Sequence, residues 1–374
     1  MSIVYVSTPA EADKLLGSLG AARAIAVDTE GASFHRFVDR VYLLQLSTRD
    51  MTAVLDPLSI GTPARLGEML ESPQVEVVFH DADYDLRLLH QDYGWHVRNI
   101  FDTRIAAQIL GLRAFGLAAL LAKYFAVKLD KKHQRADWSM RPLTKEMLHY
   151  ASQDTEYLLP LRDRMGEELH RIGRWEWAQE EFTRLEGTRW ETADSDDEGY
   201  LKTKGVRDLS RRELAIFREL SRWRDEVAAE QDRATFRVAG NEALFAAARH
   251  APRTPQELSA VKGMPRGIIE RRGVEILEAV ERGLAVPDDQ LPKFPRGQRW
   301  ARDTEYERRV SKLRTARDGA AQRLDLDPGF LCSRDRLEAI ARRNPRFLEE
   351  LAEVPELRRW QVQVLGKEFL KAIQ

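Results

Sequence analysis

Beyond residue 207 the chain repeats itself at a constant offset of 93 residues, and no other feature restricts its possible folds as much. LSRWRD at 220–225 faces LRTARD at 313–318, and ALFAAARHAPRTPQEL at 243–258 faces RLEAIARRNPRFLEEL at 336–351. The register continues through Val261 with Val354, Leu277 with Leu370 and Val280 with Ile373. Apolar positions that match over such a length without a gap are the core positions of one helical unit written twice; chance similarity among Arg-, Ala-, Leu- and Glu-rich helices would not hold one register. Two all-α modules are expected, over 208–287 and 297–374. The acidic, small and polar stretch WETADSDDEGYLKTKG at 190–205 precedes them and reads as a linker, assigned to 191–207.

Residues 1–190 are patterned differently. The short apolar runs AIAVDTE (24–30), VYLLQLS (41–47), TAVLDP (52–57) and VEVVFH (75–80) read as strands, and the last lies between helical stretches at 63–71 and 83–92. From Thr103 onward the periodicity is helical, with breaks at Gly111, Gly116 and Pro142. An α/β domain is expected here. A chain of 374 residues has room for two or three such cores.

No stretch approaches the ~18 uninterrupted apolar residues of a membrane span, and the opening MSIVYVSTPAEADK lacks a basic region followed by an apolar one, so a cytoplasmic protein without a membrane partner is expected. Modules repeated within one chain need no second copy to pack, which points to a monomer. Cys332 is the single cysteine, which excludes an internal disulfide and a thiolate zinc cluster and leaves it as a small buried residue. The formal charge of −1 conceals a division: residues 201–374 hold 36 Lys+Arg against 28 Asp+Glu, which leaves 23 against 32 for residues 1–200. Clustered cations suit a polyanion and clustered carboxylates suit divalent metals, although ordinary solvated helices also show such a split.

The acidic residues of the first half form a specific set. Asp28 and Glu30 stand two apart at the end of an apolar strand, so they share one face of the sheet. In HDADYDL, Asp81, Asp83 and Asp85 crowd a strand-to-helix transition; at least one would cap the helix, while Asp85 would sit in its first turn, aimed back at the strand ends. In HYASQDTEYLLPL, Tyr150 and Asp154 stand four apart and share a helix face. Each piece has an ordinary structural explanation; their order does not. Hard, oxygen-seeking Mg²⁺ or Mn²⁺ is held by carboxylates and water, and two such ions about 4 Å apart can activate a water and stabilise the leaving oxygen of a phosphodiester. Four carboxylates can hold that pair.

VDTE, FHDADYDL and HYASQDTEYLLPL resemble, in order and context, the three motifs of the DEDD exonuclease superfamily, and more closely those of the ribonuclease D family; FDTRIAAQIL and LDKKHQRADWSMRPLT are similar to ribonuclease D segments as well. The doubled module resembles the HRDC domain. The resemblance covers nearly the whole chain. It implies a ribonuclease-H-like exonuclease domain with a mixed sheet over 1–190, followed by two all-α HRDC-like domains. It also implies two divalent ions and 3′→5′ hydrolysis of RNA from a free 3′-OH, releasing nucleoside 5′-monophosphates, in the maturation of structured RNA such as transfer RNA precursors. Asp28 would bridge both ions, Glu30 and Asp154 would bind the ion nearer the nucleophile, Asp85 would act mainly through water, and Tyr150 would orient the nucleophile. Related superfamily members place a histidine five residues before the last Asp instead, and His149 stands there. A regular helix puts Tyr150 roughly 40° and His149 roughly 140° from Asp154, which favours Tyr150.

Phe34, Gln45, His80, Trp138 and Arg141 lie in or beside the matched segments as candidates for stacking on bases or meeting phosphates, and Arg222, Arg224, Arg271 and Arg272 as cations for RNA backbone. Two other functions share the same residues: a DNA 3′→5′ exonuclease, since metals do not read the sugar, and an RNA-binding protein that has lost hydrolysis.

Overall fold

The computed structural model describes residues 3–129, 132–191, 199–294 and 303–374; residues 192–198 of the expected linker and the expected start of the second module, 297–302, lie outside the described residues. The chain forms two compact units. One holds the described residues of Met1–Gly31, Val41–Trp190 and Trp300–Gln374, the other Ala32–Arg40 and those of Glu191–Arg299.

The first unit is built on a six-stranded mixed sheet, β1 (Ile3–Val6), β2 (Ala24–Glu30), β3 (Leu43–Ser47), β4 (Thr52–Leu55), β5 (Glu76–Phe79) and β6 (Ile100–Asp102), in the order β1-β4-β3-β2-β5-β6. β3 runs antiparallel to both β2 and β4, and the other pairs are parallel. Alternation along the strands sends side chains to two cores. Ile25, Val27, Leu44, Leu46, Val77 and Phe79 pack with the helices Pro9–Ser18, Ala64–Leu70 and Asp83–Tyr93. Ala26 and Val78 face the opposite way, toward the helices Thr103–Ile109, Leu117–Phe125, Leu158–Arg171 and Trp175–Leu185. Asp28 shares the second face. The four strands expected from the sequence are present; β1 and β6 are short edge strands whose four and three residues leave too little alternation to stand out.

The 93-residue offset holds at the level of backbone. Helices begin at Arg211, Thr235, Asn241, Pro255 and Arg266, and again at Thr304, Pro328, Arg334, Leu348 and Arg359. In the first copy Leu214, Phe217, Leu220, Leu244, Leu258 and Ile276 form the core, and Tyr200, Leu201 and Val206 already pack into it, so the end of the expected linker is part of the module. The helices Arg211–Glu230 and Arg266–Ala285 touch closely enough that a Cβ on Gly283 would lie 2.4 Å from the Cα of Ile216.

The second copy belongs to the same unit as the sheet. Trp360 stacks on Trp177 with centroids 5.0 Å apart, and its indole N–H donates to Glu181 Oε1 at 3.0 Å. Arg358, buried like Glu181, donates to that carboxylate at 3.1 Å, while the backbone N–H groups of Arg359 and Trp360 reach Glu180 at 2.7 and 3.0 Å.

Candidate active site

Three elements converge at the end of β2. The strand delivers Asp28 and Glu30 to one face. The helix Asp83–Tyr93 delivers Asp85 from its first turn, where Oδ1 accepts the backbone N–H of Thr29 at 2.9 Å and its hydroxyl at 2.6 Å. The helix Lys145–Glu156 starts cleanly at Thr144, whose side chain accepts from the N–H of Met147, so Tyr150 and Asp154 lie well inside it. Its far end is fixed to the sheet by a 2.7 Å hydroxyl–hydroxyl bond between Thr155 and Ser47. One oxygen from each of Asp28, Glu30 and Asp154 lies within 4.8 Å of the others. With Asp85, Tyr150, Thr29, His80 and Gln153 they line a cleft of about 550 Å³ bordered by Gly116–Ala119. His149 is exposed and does not line it.

The acidic cluster at 81–85 divides as local contacts dictate. Asp81 pairs with Arg104, and Asp83 with Arg87 one helical turn on at 2.8 Å. Neither caps the helix: its N-cap, Ala82, makes no side-chain cap bond, and the Ala82 N–H is taken instead by Asp102 at 2.7 Å. The capping expected of at least one of these aspartates is not seen, and the helix has no side-chain cap. Asp102, 1% exposed, also caps Thr103–Ile109 through the N–H groups of Arg104 and Ile105. It thereby sets the helix that carries Asp85, as Thr29 sets the carboxylate itself. FDTR stands out in the sequence only as a similar segment and Thr29 not at all, because both act through contacts with residues distant in the chain.

The other sequence candidates separate. His80 lines the cleft and holds Nδ1 2.9 Å from the Thr103 hydroxyl; burial, reinforced by Arg104, pushes its pKa down to about 4, so its ring is neutral at pH 7. Gln45 lies directly across from Asp28 on β3 and is fully buried, with neither amide atom hydrogen-bonded. Trp138 is buried against the ring of Tyr150. Arg141 is committed to Asp56 by bonds of 2.6 and 2.7 Å and to the Tyr42 carbonyl at 2.8 Å. Burial stands against the expected roles of Gln45 and Trp138 in touching base or phosphate, and the partly exposed Arg141 has its guanidinium occupied by Asp56 and backbone carbonyls. Phe34 belongs to the second unit, where it meets Phe236.

Electrostatics identify the kind of ligand the acids fit. Burial, then the charges of Asp85, Asp154 and Glu30, holds the Asp28 carboxyl well above the usual carboxylate range. Glu30 is raised by burial and then by Asp154 and Asp85. Burial lifts Asp154 to about 7, and Asp85 to about 7 despite its bonds from Thr29. Four such acids cannot all ionise side by side unaided, and a cation removes the conflict. An all-oxygen donor set fits a hard divalent ion.

Comparison with known proteins agrees with this geometry. Residues 3–170 match a 3′-5′ exonuclease family model, and residues 213–280 and 307–373 each match the HRDC domain. Ribonuclease D of Gluconacetobacter diazotrophicus is 30% identical over 349 residues, 92% of this chain and 86% of that protein. The crystal structure of Escherichia coli RNase D, described as an exoribonuclease involved in structured RNA processing, superposes with a TM-score of 0.75 at 26% identity, over 100% of this chain and 99% of that one. A protein from Bifidobacterium adolescentis superposes with a TM-score of 0.84 at 26% identity, over 99% and 96%. A mixed sheet bearing the acidic cleft, two HRDC modules in tandem and similarity along nearly its entire length make this chain a member of the ribonuclease D family of 3′→5′ exonucleases.

Proposed function

We propose that the chain removes nucleotides one at a time from the 3′-OH end of RNA, releasing nucleoside 5′-monophosphates, and that its substrates are structured RNAs such as transfer RNA precursors, processed by a cytoplasmic monomer. The observation that carries this reading is the approach of Asp28, Glu30 and Asp154 within 4.8 Å on the floor of a cleft that Asp85 and Tyr150 also line. Two divalent ions, Mg²⁺ or Mn²⁺, held among Asp28, Glu30, Asp85 and Asp154 would supply an activated water and charge stabilisation at the leaving oxygen.

The chain's own groups supply orientation. Asp28 lies close enough to Asp85, Asp154 and Glu30 for each to raise its pKa, and would serve both ions. Asp85, its Oδ1 taken by Thr29, acts mainly through water. Tyr150 lines the cleft from the same helix as Asp154, and its hydroxyl orients the attacking water. Neutral His80 contributes a hydrogen bond at the wall, not a charge.

The test is a time course on 3′-extended transfer RNA and on a matched DNA strand, with and without Mn²⁺. Stepwise shortening of the RNA from its 3′ end, dependent on the ion, is the expected result; intact RNA sinks the reading, and faster loss of DNA reassigns the substrate. Asp28→Asn and Asp154→Asn are expected to abolish turnover while RNA binding survives. Tyr150→Phe is expected to slow it more than His149→Ala does, and the reverse order would reassign the orienting role.

A further inference from the structure

We propose that Phe34 and Phe236 form a stacking platform for the bases of single-stranded RNA, an inference that rests on the exoribonuclease reading above. Residues 32–40, which join β2 to β3, pack within the second unit against the turn and short helix at 232–237 of the first HRDC copy. Four contacts hold them there. The Ala234 N–H donates to the His35 carbonyl at 3.1 Å, the Phe37 N–H to Asp232 at 3.3 Å, Arg36 pairs with Asp232 at 3.6 Å, and Arg237 donates to the Phe34 carbonyl. The result is an ordered segment that presents apolar surface: Phe34 is 44% and Phe236 52% exposed, their centroids 6.0 Å apart and their planes at 77°, with Phe37 and Val38 exposed beside them.

The helical module does not require this arrangement. At the position corresponding to Phe236 the second copy has Gly329, in a short helix with the same start. Leaving large rings half in water forgoes the gain of burying them, so a ligand is the better account of their retention. The chemistry around the rings selects it. Arg36, Arg40, Arg233 and Arg237 outnumber Asp39 and Asp232 in the two segments, and the Arg237 guanidinium lies 6.0 Å from the Phe236 centroid. Exposed π-faces among arginines fit the stacked bases and phosphates of a single strand.

The experiment uses the full-length protein, with single-stranded RNA carrying 2-aminopurine and with Ca²⁺ in place of Mg²⁺ to suppress hydrolysis. Phe34→Ala and Phe236→Ala are each expected to weaken RNA binding about tenfold and to abolish quenching of the probe at one position. Phe34→Leu and Phe236→Leu, which keep apolar bulk and the fold, are expected to weaken it nearly as much, and Phe236→Trp to restore it. Wild-type affinity in the leucine variants, or unquenched probe with the native protein, overturns the platform even if the native protein degrades RNA normally. A native protein that neither binds nor shortens RNA overturns the enzymatic reading and the platform together.

Discussion

The two HRDC copies have the same helix starts in the same register and opposite relations to their surroundings. Where the second copy has Arg358, Trp360 and Phe330, which join it to the helix Trp175–Leu185, the first has Pro265, Gly267 and Arg237. Where the first has the exposed Phe236, the second has Gly329. Even a shared residue is used differently. Asp232 and Asp325 both adopt positive φ, yet Asp232 pairs with Arg36 and Asp325 with Arg113, each within its own unit. A helical core fixes which residues point inward; the outward positions are free to become an internal joint in one copy and solvent-facing surface in the other.

The sharpest way to break that comparison is to remove the joint. Arg358→Ala deprives Glu181 of its buried cation and leaves it the Trp360 indole N–H and the more exposed Arg184, and the first unit is expected to lose about 3 kcal/mol in urea unfolding; replacing both Arg358 and Glu181 by apolar residues of similar size is expected to recover most of it. A small loss would mean that the second copy is only loosely held. A second contrast lies in pH. Asp85 and Asp154 titrate near 4 when unfolded but at about 7 in the fold, so the folded site holds protons that the unfolded chain has lost. Stability of the first unit in EDTA is therefore expected to fall as pH rises from about 4 to about 7. Mn²⁺ is expected to reverse the trend above pH 7, and calorimetry at pH 5 and 8 should find the second unit's transition unmoved; equal shifts in both would refute the assignment.

Smaller changes refine the picture. Gln45→Met in the first unit removes one buried amide whose two polar atoms lack partners, and Ser221→Ala in the second removes one such hydroxyl; gains of about 1 kcal/mol and somewhat less are expected in denaturant titrations. Any loss would show that these groups are satisfied in solution. Smallest of all should be Asp232→Asn and Asp325→Asn. Their carboxylates are 53% and 83% exposed, so each exchange is expected to cost below about 1 kcal/mol and less in high salt.

What was legible in the sequence follows the same division between inside and outside. The strand D-x-E, the aspartate in the first turn of Asp83–Tyr93 and the Tyr150–Asp154 pair obey local periodicities, and so does the repeat. Gln45 and Arg141 are candidates for ligand contact because they lie in or beside the matched segments; the burial of one and the pairing of the other depend on β3 being central and on Asp56, 85 residues from Arg141. The bond from the Ala82 N–H to Asp102 likewise depends on β5 and β6 being neighbours in the sheet. The joint of the second copy is hard to read from the sequence because the repeat is conspicuous where the copies agree, and the joint lies where they differ.

The Thr29 link to Asp85 also limits how the site can deform. Because Asp28, Thr29 and Glu30 are consecutive on one strand, three of the four carboxylates take their positions from a single tripeptide and move with it as one body. Asp154 comes from another element, so the gap between β2 and the helix Lys145–Glu156 is the one dimension along which the cage can widen or narrow. The bond from Thr155 to Ser47 sets it, like the stop on a caliper.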